Sequence, residues 1–211
     1  MRISHRRASL SAGVLIVALA LAGCASVASS SPVPEPSGSS SPSPSATPSA
    51  TPLSSDPVDW MITIDGVGPL TLGGSLAAEV PATAPAYTAD ADGTCPNPSI
   101  SILKSDANPT IWIQAASEGS DEVAMIAVGG DGSTTGWPHT AEGITVGSSL
   151  AQLQAAYPTG ELEGEQYQQV FVVAETSASG DDRYLLFELF EDVVFTIFVQ
   201  TDPTHQYELC G

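Results

Sequence analysis

The sequence predicts an α+β fold: tandem helix-plus-three-strand modules that form one antiparallel sheet with the helices on one face, preceded by a disordered linker. Three observations lead there. Residues 70–77, Leu-Thr-Leu-Gly-Gly-Ser-Leu-Ala, return 74 positions later at 144–151 as Ile-Thr-Val-Gly-Ser-Ser-Leu-Ala, with five identities in eight, which marks an internal repeat. Ser149 and Gln152 have capping-box spacing, and Leu150, Leu153 and Tyr157 fall on one helical face until Pro158 stops the pattern. Six apolar runs then read as strands, at 99–103, 111–114 and 123–128 after the first copy and at 167–173, 184–190 and 193–199 after the second.

Taken in order, the chain opens with a basic start (Arg2, Arg6, Arg7) and an apolar run from about Ala8 to Ala22, shorter than the ~20 residues a membrane span needs. The run ends in Leu21-Ala22-Gly23-Cys24, which resembles the bacterial lipobox. That resemblance implies a signal peptide over 1–23, cleavage before Cys24 and lipidation of its thiol, anchoring the mature chain to the outer face of a cytoplasmic membrane. The Arg6-Arg7 pair leaves general secretion and twin-arginine export both open.

Residues 24–57 are mostly Ser, Pro, Ala and Thr, as in Ser41-Pro42-Ser43-Pro44-Ser45. Too few apolar side chains are present to offset the entropy of ordering, so a disordered linker is expected, with a reach on the order of 100 Å if extended. Residues 58–211 have the alternation of a folded domain, with copies at about 60–130 and 135–211. The first helix is expected to be much shorter than the second, because Pro81 follows Val80.

Charge excludes whole classes of partner. Beyond the leader, Lys104 and Arg183 stand as two cations against 24 carboxylates, a formal charge of −22. Phosphate neutralisation is therefore unavailable as a binding force, which argues against nucleic acid; the acidic excess reads either as recruitment of a cationic partner or as solubility of an envelope protein without steering. Of three cysteines, lipidation consumes Cys24, and in an oxidising compartment Cys95 and Cys210 are expected to form a disulfide.

The glycine-containing signature Leu70-Thr-Leu-Gly73-Gly-Ser75 and Ile144-Thr-Val-Gly147-Ser-Ser149 resembles the helix-opening motif of β-lactamase inhibitory protein and of small outer-membrane lipoproteins that assist barrel assembly. What the resemblance implies is a binding or scaffolding protein.

Catalytic chemistry is sparse. Ser101-Ile-Leu-Lys104 has the S-x-x-K spacing of penicillin-binding enzymes but sits in a strand pattern without the accompanying motifs. Asp90-Ala-Asp92-Gly93 begins like a calcium loop, yet Ser101 occupies the twelfth position. Asp202, His205 and Glu208 have ligand spacing only on a helix, which Pro203 opposes, so no metal and no cofactor are expected.

A binding face is the better clue. With Glu191-Asp192 as a two-residue hairpin turn, Tyr184, Leu186, Glu188, Phe190, Val193, Phe195, Ile197 and Val199 share one face, while Leu185, Phe187, Leu189, Val194, Thr196 and Phe198 share the face under the helices. The expected binding residues are Trp112, Gln114, Tyr184, Glu188, Phe190 and Phe195. Either this face is open to a partner, or a loop such as 129–142 with Trp137 covers it as a second core. The reading is a lipid-anchored, non-catalytic binding or scaffolding module of the cell envelope that takes a protein or cell-wall ligand; the alternative is an envelope hydrolase whose site is not recognisable in the sequence.

Overall fold

A computed structural model describes residues 56–90, 95–130, 138–165, 168–206 and 208–210 of the 211. The expected signal peptide, Cys24, the Ser/Pro-rich stretch up to residue 55 expected to be a linker, and Trp137 lie outside the described residues. After a single 3-10 turn at Pro57–Asp59, capped by the Asp56 carboxylate on the Val58 amide, come β1 (Met61–Thr63), β2 (Gly66–Val67), β3 (Leu70–Thr71) and α1 (Leu76–Ala82). Next are β4 (Thr88–Ala89), β5 (Ile100–Lys104), β6 (Thr110–Ala115), β7 (Val123–Gly129), β8 (His139–Thr140) and α2 (Leu150–Ala156). The chain finishes with β9 (Glu161–Glu163), β10 (Gln169–Thr176), β11 (Asp182–Phe190) and β12 (Val193–Gln200).

The fold is therefore mostly β, which corrects the α+β expectation of helix-plus-three-strand modules. Among the described residues there are twelve strands in two sheets and two α-helices of seven residues each. An eight-stranded antiparallel sheet runs β4-β5-β6-β7-β12-β11-β10-β9, and a four-stranded sheet runs β3-β2-β1-β8, with β8 parallel to β1. The six strands expected from alternation are β5, β6, β7, β10, β11 and β12. The other six are two or three residues long, too short to show a period of two. The helices contribute little because each meets proline: Pro81 lies in the last turn of α1, and Pro158 follows the Tyr157 C-cap of α2. The expected difference in helix length is also corrected, since Pro81 is tolerated inside α1, at a cost of one bond to the Ala77 carbonyl.

The repeated segment places its residues in equivalent surroundings. Gly73 and Gly147 both adopt positive φ, 78° and 92°, which favours glycine there. The Gly73 amide donates to the Val123 carbonyl at 2.7 Å and the Gly147 amide to that of Val194 at 2.8 Å. The Leu76 amide donates to Asp121 O and the Leu150 amide to Asp192 O, both at 2.8 Å. Ser75 and Ser149 are the N-caps, and Ser149 and Gln152 complete the capping box read from the sequence. Each helix start is thus pinned to the turn that leads into β7 or β12, the two strands that meet at the centre of the large sheet.

Two cores follow from the pleat. One face of the large sheet carries Ile111, Ile113, Ile126, Val128, Phe171, Leu185, Phe187, Val194, Ile197 and Val199 against Trp60, Ile62, Val67 and Leu70 of the small sheet region and Leu153 of α2. Full burial of such side chains supplies ~1.5–3 kcal/mol each. Arg183 adds ionic contacts at the margin, to Asp65 at 3.8 Å and Asp181 at 3.7 Å. The opposite face holds a smaller cluster of Met125, Ala127, Val170, Leu186 and Phe198, with Trp112, Val172, Tyr184 and Leu209 packed around it.

The β11–β12 hairpin turns at Glu191-Asp192, both at positive φ (50° and 61°), with Phe190 opposite Val193. Its register, however, differs from the one expected. Glu188 pairs with Thr196 while Leu189 pairs with Val194, so Phe195 is an extra residue in a β-bulge. Everything beyond the bulge changes face: Ile197 and Val199 join the helix-side core, and Thr196 and Phe198 join the aromatic face.

Candidate functional site

The C-terminal segment after β12 crosses the aromatic face, and its attachments define the site. Gln200 Nε2 donates to the carbonyls of Asp202 and Thr204, the latter at 3.0 Å, and the Thr204 amide donates to Asp202 Oδ1 at 2.8 Å. The His205 ring stands edge-on to Phe198 with centroids 4.9 Å apart. At the far end Asn97 Nδ2 donates to the Leu209 carbonyl at 3.3 Å, and Cys210 is disulfide-bonded to Cys95 with Cα atoms 4.9 Å apart. A 115-residue separation is closed at this point, so the tail is held at both ends of its crossing.

Beside this strap lies a groove of about 240 Å³ lined by Trp112, Glu188, Phe195, Thr196, Phe198, Gln206, Leu209 and Cys210. Alternation in β6 and β11 turns Trp112 and Glu188 to this face, and the bulge brings Phe195 and Thr196 to it together. Burial pushes the Glu188 carboxyl above its ordinary value, and a hydrogen bond with the Thr196 side chain partly offsets that by favouring the charged form. Lys104 and Arg183 do not neutralise it: Lys104 pairs with Asp90 at 2.9 Å, and Arg183 is on the opposite face with Asp65 and Asp181.

Of the expected binding residues, Trp112, Glu188 and Phe195 line this groove together. Phe190 is not among the lining residues; it is 58% exposed at the hairpin end, paired with Val193 at 41%, and Phe195 itself is 39% exposed. Gln114 and Tyr184 do not join them. Gln114 pairs with Ile100 and Met125, and Tyr184 sits four residues from Glu188 along β11, opposite Gln200 and Ala174. The face is thus covered in part, by the C-terminal segment; among the described residues of the 129–142 loop, His139 and Thr140 belong to the small sheet. Sequence reasoning missed Thr196 and Phe198 through the bulge, and Gln206 and Leu209 entirely. The signal for the last two was the expected Cys95–Cys210 bridge, which obliges the tail to return across the sheet.

The remaining motifs are separated or engaged elsewhere. Ser101 and Lys104 are three residues apart on β5, hence on opposite faces, and Asp90 is tied to Lys104. The rest of the Asp90-Ala-Asp92-Gly93 turn lies outside the described residues. Among the described residues no group of three or more His, Cys, Asp or Glu side chains is placed to hold a metal ion, and no helix is long and apolar enough to cross a membrane. No protein-family model, curated protein or solved structure matches this chain.

Proposed function

We propose that this chain is an extracytoplasmic lipoprotein, anchored through Cys24, whose sheet face binds a protein of the cell envelope without catalysing a reaction. The observation that carries the binding reading is that one hairpin exposes Phe190, Val193 and Phe195, the last of them lining a groove with the half-buried Glu188. Large exposed apolar groups beside a carboxylate are what a partner surface offers. The anchor reading is supported by the basic start, the apolar run and Leu21-Ala22-Gly23-Cys24.

A photo-crosslinking amino acid at position 190 or 195 in cells tests the binding reading, with position 88 on the far edge strand as control. A discrete adduct from 190 and 195 and none from 88 is expected; equal or absent crosslinking at all three overturns it. For the anchor, labelled fatty acid should enter the wild-type chain and not Cys24→Ala, and equal incorporation would remove the membrane address.

A further inference from the structure

We infer that the groove beside the C-terminal strap receives a lysine side chain presented by a segment of a protein partner, with Glu188 as its counter-ion. The inference rests on the binding reading above and gives it a chemistry. Three aromatic rings, Trp112, Phe195 and Phe198, line one small groove with a single carboxylate. Aromatic faces attract cations, and a carboxylate among them completes the composition that recognises an ammonium group.

Charge complementarity selects the occupant. Glu188 is drawn away from water, yet the two basic side chains beyond the leader are committed to Asp90, Asp65 and Asp181. A cation from another molecule would relieve that deficit, and the adjacent turn carboxylates of Glu191 and Asp192 deepen the negative potential it meets. Size and geometry point to lysine. At about 240 Å³ the groove is smaller than a usual small-molecule pocket and suits a side chain. Thr196 already occupies part of the carboxylate, which leaves a point contact for an ammonium and disfavours the two-oxygen fork of a guanidinium. The exposed Phe190–Val193 pair, at the turn end of the same hairpin, provides apolar ground for residues flanking that lysine.

The test is calorimetric titration of the full-length chain in nonionic detergent with the peptide Gly-Ser-Leu-Lys-Leu-Ser-Gly and its counterpart carrying norleucine in place of lysine. The lysine peptide is expected to bind saturably, at least tenfold more tightly than the norleucine peptide. In Glu188→Gln, matched to wild type in shape and checked by its melting transition, the lysine peptide should fall to the norleucine level while the norleucine peptide is unchanged. No binding of the lysine peptide, equal binding of both, or an unchanged lysine affinity in Glu188→Gln overturns the inference. Equal binding that disappears in Phe195→Ala would reject lysine while leaving the face as a binding surface; the crosslinking test decides that broader reading by itself.

Discussion

The Tyr157 phenol donates a 2.6 Å hydrogen bond to the Glu142 carboxylate, tying the end of α2 to the loop just before the repeated segment 144–151. That bond holds the Glu142 carboxyl below its ordinary value, and burial raises the phenol of Tyr157. Tyr157→Phe keeps the ring against Phe187 and removes only the bond. A loss of about 1 kcal/mol at pH 7 is expected, toward the low end for a bond to a charged group because solvent screens the exposed carboxylate. Since the folded carboxylate titrates below its unfolded value, this contribution is present above the unfolded carboxylate range and is lost as pH falls through the folded one. Urea unfolding at pH 7 and pH 3 checks it: the wild-type advantage over the variant should shrink at the lower pH.

Glu188 has the opposite sign. Burial raises its folded pKa, so between the ordinary unfolded value and the raised folded one the folded chain binds more protons than the unfolded one, and stability falls as pH rises through that range. Glu188→Gln should therefore raise the melting temperature at pH 7 by about 1–3 °C. The difference should close as the carboxyl protonates in acid. Melting curves across pH 4 to 8 measure both effects, and a variant less stable than wild type at pH 7 would contradict the burial argument.

Truncation should separate the aromatic residues by location. Phe198, buried in the second core, should lose ~3–5 kcal/mol on replacement by alanine. Phe190→Ala and Phe195→Ala remove exposed rings and should stay within about 1 kcal/mol. Half-buried Trp112 should fall between them. Equilibrium denaturation of the four variants orders them.

Removing the bridge should act on the whole chain and on one segment. Closure of so long a loop stabilises by up to ~5 kcal/mol in the chain-entropy account, so Cys95→Ala with Cys210→Ala should lower the denaturation midpoint markedly. Hydrogen exchange should quicken most across residues 201–210, with β7 and β12 the last to lose protection.

Legibility followed the length of each signal. Long alternating strands such as β11 and β12, the capping box at Ser149 and the turn at Glu191-Asp192 could be read because several neighbouring residues carry one message. Pairs such as Gly66–Val67 and Leu70–Thr71 carry none that a sequence window detects, and they are what turns the architecture into two sheets. The bulge at Phe195 is a single unpaired residue without glycine or proline to announce it, and it reassigned Thr196, Ile197, Phe198 and Val199. Three of the eight groove residues, Gln206, Leu209 and Cys210, belong to the tail, whose position depends on a covalent tie spanning most of the folded region.

The outer strands of the large sheet, β4 and β9, have consequences for how another molecule can approach. β4 is two residues long, and β9 presents Glu161 and Glu163, both exposed. So short and so negatively charged a border offers an incoming extended chain few main-chain partners, which is how sheets escape uncontrolled stacking into fibrils. Many such molecules could crowd one surface without zipping together. Recognition by backbone ladder growth is thereby disfavoured, and selectivity passes to side chains standing on the broad surface of the sheet.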